Sequence, residues 1–446
     1  MKNLMKMIRQ FGDSAVTLVV SFILFLFNGV KFIVSSPARL LKYIREFFED
    51  TDAVLKESLI ALSICAVGDL CAGIILGNME FFLETYPGLM VIIPGAIGMR
   101  GNIFGSFGSR LSTHLHIGTI SPEFKRSDLL DENITASIIL TMVLSVLLGA
   151  IAKVICIIFG FESISLYDFV LISFIAGLIS TIVMLPITMF ISLKSFEGGW
   201  DPDNITTPFI AAIGDFFTLP AIILSVLIVN IIGFSFVVKM ALFAIVILIT
   251  VVSLVSGYTA DNEVRHIVRQ STPVLFFCSI LGTVAGGILN NSISTLLKNQ
   301  TLLTLVPLFS GESGGLVSIL GARLASGLHS GLIEPVLRPE KHTMENFVAI
   351  ITLAVIMYPL IGFLAESSTI IFSNIGVGFI ESILISLASG MILIFIMLLV
   401  VFYISTISYR RGLDPDNIVI PLSTSLTDSI STLILIVVSL GLLSMF

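Results

Sequence analysis

Charge is scarce in this sequence. Only 12% of its 446 residues are Asp, Glu, Lys or Arg, about half the ~25% of a soluble globular domain, which excludes a surface that faces water throughout. Histidine and cysteine are scarcer still, at five and four residues. Cys65, Cys71, Cys156 and Cys278 lie inside apolar runs without zinc or haem spacing, where a thiol behaves as a small hydrophobe. No basic stripe accompanies the formal net charge of −7, so nucleic acid is not expected as a partner. The apolar segments carry neither a His/Glu ligand cluster nor a nucleophile–base motif, which argues against a membrane-embedded enzyme. No organic cofactor is expected either. Hydrophobic residues, by contrast, make up 56% of the chain, and the mean hydropathy is +1.08. This is an all-α, polytopic membrane protein whose first partner is the lipid bilayer.

A spanning helix needs about 20 mostly apolar residues. Windows of that kind fall near 57–77, 86–108, 135–158, 168–193, 208–230, 235–257, 271–291, 302–324, 348–372, 382–405 and 419–445. Their length and density exclude a transmembrane β-barrel, whose strands are short and alternate. An earlier apolar run, Ala15–Val34, is flanked by Lys2, Lys6 and Arg9 on one side and Arg39, Lys42 and Arg45 on the other. Both flanks favour the same side of a membrane, so an in-plane or extra membrane segment is expected there. With the loop before 57 on the cytoplasmic side, that side collects Lys56, Arg100, Arg110, Lys125, Arg126, Lys194, Arg265, Arg269, Arg323, Arg338, Lys341, Arg410 and Arg411. The other side holds only Lys239 and Lys298. The bias starts the core helices in the cytoplasm and ends the chain outside.

Shifted by 213 residues, the sequence lands on itself without a gap. Gly98, Gly101, Gly108, Arg110, Leu111, His116 and Gly118 fall on Gly311, Gly314, Gly321, Arg323, Leu324, His329 and Gly331. Asp201-Pro202-Asp203-Asn204-Ile205 falls on Asp414-Pro415-Asp416-Asn417-Ile418, Pro208 on Pro421, and Asp215 on Asp428. The organisation expected is therefore an N-terminal segment 1–56, a first repeat 57–233, a linker helix and loop 234–269, and a second repeat 270–446. Five spans per copy is an odd number. The linker span 235–257 adds a sixth crossing, so the two copies run parallel, related by a pseudo-two-fold axis along the membrane normal. A site at the interface of such repeats is expected near the membrane midplane.

Asp215 and Asp428 lie deep in their spans, and intramembrane carboxylates mark ion or proton pathways by default. Without nearby cationic partners, two such carboxylates suit a cation. The Asp-Pro-Asp-Asn starts of spans 5 and 11 supply N-caps at Asp203 or Asn204 and at Asp416 or Asn417. Together with Asp201 and Asp414 they also form an acidic inner mouth. Spans 2 and 8 hold the glycine-rich stretches Gly98–Asn102 and Gly311–Gly315, which make Gly101, Asn102, Gly314, Gly315 and Glu312 candidates for lining a pore. Arg110 and Arg323 are expected to anchor span ends by snorkelling. Asp69 has no acidic twin, since Gly282 occupies its place, and Glu312 corresponds to Met99. The site need not be symmetric.

These residues resemble the SLC41/MgtE family of magnesium transporters. The likeness runs over about 57–446. It is carried by Pro94, Gly98-Met99-Arg100-Gly101-Asn102, Ser109-Arg110-Leu111-Ser112-Thr113 and the Asp-Pro-Asp-Asn-Ile stretch through Asp215. It departs where Gly314-Gly315-Leu316 replaces Gly-Asn and Ala322-Arg323 replaces Ser-Arg. The resemblance implies transport of divalent cations, with Mg²⁺ as the cargo, through a pore between the halves lined by helices 2 and 5 of each copy. It implies that Asp215 and Asp428 coordinate the ion, with backbone oxygen at Ala211 and Thr424 one turn earlier. One chain then supplies both halves, so a monomer suffices as a pseudo-dimer. Cytosolic magnesium-sensing domains are not expected, because only about fifty residues precede the core. A proton- or sodium-coupled carrier of another solute, with the same two Asp as coupling sites, stays open as the alternative.

Overall fold

The computed structural model describes residues 58–121, 127–198, 202–232, 236–260, 263–372, 376–412 and 415–443. Among these residues there is no strand. Eleven helices are long and apolar enough to cross a membrane. In chain order they are α1 (Ser58–Gly77), α2 (Leu89–Ile117), α3 (Asp128–Phe159), α4 (Leu166–Glu197), α5 (Pro202–Ile232), α6 (Phe236–Thr259), α7 (Glu263–Asn291), α8 (Gln300–His329), α9 (Lys341–Ile371), α10 (Phe379–Arg410) and α11 (Pro415–Leu443). Helices α1–α5 form the first repeat, α7–α11 the second, and α6 joins them. The run Ala15–Val34 and the whole segment 1–56 lie outside the described residues.

The helices outrun their apolar windows because their polar ends carry helix-start chemistry. α3 begins at Asp128, with the Ser127 hydroxyl accepting from the Leu130 N–H at 3.2 Å and two acidic residues in its first turn. α4 starts in the same way from Ser165, whose hydroxyl accepts from the Asp168 N–H. α5 and α11 start at Pro202 and Pro415, where a missing N–H costs nothing because the first helical N–H groups have no partner. That corrects one expectation. Asp203, Asn204, Asp416 and Asn417 fall inside the first turns and not at the caps. Their side chains, with Asp201 and Asp414, lie outside what the structure describes.

The halves exchange their first helices. α7 of the second repeat packs along α2 and α3 of the first. The approach needs glycine: a Cβ on Gly282 would lie 2.6 Å from the Cα of Gly95, and one on Gly286 would lie 2.3 Å from the Val91 carbonyl oxygen. Reciprocally, Gly73 and Gly77 of α1 lie against Thr304 of α8. Small residues let backbones meet inside a membrane, where van der Waals contact holds helices together. The linker α6 packs outside, on α3, α4 and α7. Only 11% of its apolar window is buried, as suits a lipid-facing helix. Lys239 on α6 is tied to Asp168 of α4 at 2.6 Å.

Two links recur in both halves. Arg110 donates through Nε to Oδ1 of Asn133, and Arg323 does the same to Asn346. Each Asn also donates to the carbonyl four residues before it. These arginines therefore lock α2 to α3 and α8 to α9, in place of the snorkelling expected of them. At the far ends of α3 and α9 the repeat keeps a role and inverts the charge. Lys153 donates to Ser163 Oγ and the Ile164 carbonyl, whereas Glu366 accepts from the Val377 and Gly378 N–H groups. Arg100 is a second correction. It is no loop charge, because it lies within α2 with its side chain fully buried.

Candidate functional site

A cavity of about 150 Å³ lies between the two halves. Its lining comes from α2 and α5 of the first repeat, α8 and α11 of the second, three residues of α1 and one of α7. Along α2 the lining runs from Ile93 to Ser109, about 24 Å at 1.5 Å per residue.

The glycines give the cavity its width. Gly101 and Gly314 are repeat mates, both line the cavity, and a Cβ on either would meet no heavy atom within 4 Å. Pro94 in α2 and Pro307 in α8 also line it and interrupt their helices' hydrogen-bond ladders. Helix-breaking residues are tolerated at this depth where the backbone borders a water-filled space or other protein.

Asp215 and Asp428 both line the cavity, one from each half. Each lies about 20 Å along a helix that begins at the equivalent Pro202 or Pro415, hence near the middle of the span. Their surroundings differ. Asp428 accepts from the Ser310 hydroxyl at 2.7 Å. The position equivalent to Ser310 in the first half is Ile97, and Asp215, 7% exposed, has no hydrogen-bond partner among the described residues. A carboxylate at the centre of a membrane helix costs about 3 kcal/mol.

The other sequence candidates divide. Ala211 and Thr424, one turn before the carboxylates, line the cavity, as do Gly101, Asn102, Gly314 and Gly315. Glu312 does not. Its side chain is fully buried behind the wall, close enough for its charge to act on Tyr358 and Asp69, and both its carboxylate oxygens lack a hydrogen-bond partner among the described residues. Asn102 bridges the halves by donating to Ser425 Oγ at 3.0 Å. The mates of that pair are Gly315 and Ala212, and a Cβ on Gly315 would lie 2.7 Å from a methyl of Leu62. One side of the interface is thus closed by a polar bridge and the other by packing. Asp69 also lines the cavity, which an account built on helices 2 and 5 alone omits.

Among the described residues, no group of three or more His, Cys, Asp and Glu side chains forms a ready metal cage. An ion in the cavity would keep part of its water shell and meet few carboxylates.

Comparison with known proteins points to divalent cations. The family model MgtE, described as a divalent cation transporter, matches residues 93–225 and 306–438, two stretches displaced by the 213 residues of the internal repeat. Solute carrier family 41 member 2 of Xenopus laevis is 24% identical over 87% of this chain and 72% of its own. Solute carrier family 41 member 3 of Mus musculus is 26% identical over 83% of this chain and 79% of its own. Human solute carrier family 41 member 2 is 24% identical over 87% and 70%. No solved structure matches the chain.

Proposed function

Because the chain belongs to the MgtE family of divalent cation transporters, we propose that it carries Mg²⁺ through the cavity between its halves, held at mid-membrane by Asp215 and Asp428. The observation that carries this reading is the pair itself: two carboxylates at equal depth, one from each repeat, lining one cavity. Between them a divalent cation cancels the repulsion that two membrane carboxylates would otherwise feel. The carbonyl oxygens of Ala211 and Thr424 retain a second lone pair each beyond their helix bonds, and can meet the ion or its waters. The acidic first turns at Asp203, Asn204, Asp416 and Asn417, with Asp201 and Asp414, collect cations at the inner mouth.

The test is uptake by the purified chain in proteoliposomes. Mg²⁺ accumulation is expected above that of protein-free vesicles, saturable, and unchanged in choline or sodium. Accumulation no faster than in empty vesicles would overturn the reading. Uptake that requires sodium or a proton gradient and ignores Mg²⁺ would favour the coupled carrier of another solute.

The charge bias supports an orientation with the start of α1 and the Arg410-Arg411 end of α10 in the cytoplasm, and the end of α11 outside. A cysteine replacing Arg411 should then escape an impermeant thiol reagent in intact cells. One replacing Lys298, between α7 and α8, should react. Labelling of the first and not the second would reverse the orientation.

A further inference from the structure

Gly98 on α2 and Gly311 on α8 are repeat mates, and each faces a carboxylate. A Cβ on Gly98 would lie 3.1 Å from Oδ2 of Asp428. By the repeat, Gly311 should face Asp215. It faces Asp69 instead: a Cβ there would lie 2.2 Å from Oδ2 and 2.9 Å from Oδ1 of that residue. Asp69 stands near the middle of α1, which the exchange of first helices has carried against the second half. It is 2% exposed, its Oδ1 has no hydrogen-bond partner among the described residues, and it lines the cavity. Asp215 is near enough for the charge of Asp69 to act on it, and Asp69 near enough for that of Asp428.

The repeat supplies no twin for this group. The equivalent residue is Gly282, where a Cβ would already press on the backbone of Gly95. The first half therefore contributes two carboxylates to the cavity and the second half one. Two carboxylates balance one divalent ion, so a third in the same place needs a cation or a proton of its own.

We propose that Asp69 is a third cation-binding carboxylate of the cavity and forms, over Gly311, a second cation position beside the one at Asp215 and Asp428. The pathway is then unequal in its two halves, and an ion at the symmetric position has a neighbour that helps it leave. This rests on the reading that the cavity conducts Mg²⁺, and the experiment separates the two.

Mg²⁺ dependence of flux and Mg²⁺-induced thermal stabilisation are measured on the full-length chain and on Asp69→Asn, Asp69→Gly, Gly311→Ala and Asp69→Gly/Gly311→Ala. Asp69→Asn is expected to raise the KM for Mg²⁺ about tenfold, within the 10–100-fold range of lost metal-site partners, and to shrink the stabilisation by Mg²⁺. Gly311→Ala, whose methyl displaces the carboxylate, is expected to raise KM as well, yet to add nothing once Asp69 is Gly. A merely structural Asp69 would lower the melting temperature without moving KM or the Mg²⁺ response, and that result overturns the proposal. Unchanged KM in Asp69→Asn, with flux still lost in Asp215→Asn/Asp428→Asn, sinks the second position and leaves the conducting cavity standing. Normal flux in both sets removes the cavity reading and this one together. If Asp69→Asn fails to fold, the Gly311→Ala arm decides: an unchanged KM there overturns the proposal.

Discussion

The Asp215→Asn/Asp428→Asn double variant is expected to reach the membrane folded and to carry no Mg²⁺ above the level of empty vesicles. Folding should survive for a physical reason. Asparagine matches aspartate in shape, and neutralising a mid-membrane carboxylate relieves a cost of about 3 kcal/mol. Asp215 has no hydrogen-bond partner among the described residues to abandon, and an Asn at 428 still offers an oxygen to the Ser310 hydroxyl. What disappears, on the proposed reading, is the charge that would hold a divalent ion against its preference for bulk water. The single variants should differ in degree. Asp428 is held in place by Ser310, whereas the repeat mate of Ser310 is Ile97, which cannot donate to Asp215. Each is expected to weaken Mg²⁺ affinity by about 10–100-fold. The measurement is vesicle flux against Mg²⁺ concentration, with size-exclusion profiles as the folding control. Normal flux in the monodisperse double variant would remove this pair from the pathway.

Much of this molecule is legible in one sequence because the sequence is written twice. The 213-residue shift picks out Asp215 with Asp428, Gly98 with Gly311 and Gly101 with Gly314, and all six line one cavity. The same shift lands Asn133 on Asn346. That signal was sufficient to pair each Asn with the repeated arginine twenty-three residues earlier, but buried arginine partners are hard to see when span ends invite snorkelling. The limits follow from asymmetry. Asp69 has no twin, and its approach to Gly311 depends on α1 crossing to the opposite half, which a comparison of the chain with itself does not encode. Arg100 reads as a span-end charge until α2 is seen to continue to Ile117. Glu312 sits in the same glycine-rich stretch as true lining residues, yet one helical step turns its side chain away from the cavity and into the protein. Position along a helix was readable. The face was less so, because the glycine-rich stretches have little hydrophobic periodicity.

Filling the cavity from its glycines is expected to stop transport without harming the fold, and the size of the new side chain should set the degree. At Gly101 and at Gly314 a methyl group meets nothing within 4 Å, so the substituents grow into open space. Replacing a mid-helix glycine also favours the helix by about 0.5–1 kcal/mol. Flux should therefore fall stepwise from Ala through Val to Phe at either position while thermal stability holds or rises. Neighbouring glycines set the contrast. Gly286 lies against the α2 backbone at Val91, where even a methyl forces the helices apart, and overpacking of that kind costs about 1–3 kcal/mol. Gly286→Ala should thus lower the melting temperature, and Gly101→Phe should not. The Phe variants enter one cavity from two different helices, so either alone should bring flux close to background and the pair should add little. Mg²⁺ flux in Gly101→Phe and Gly314→Phe equal to that of the parent chain, in protein of unchanged stability, would mean that the ion travels elsewhere.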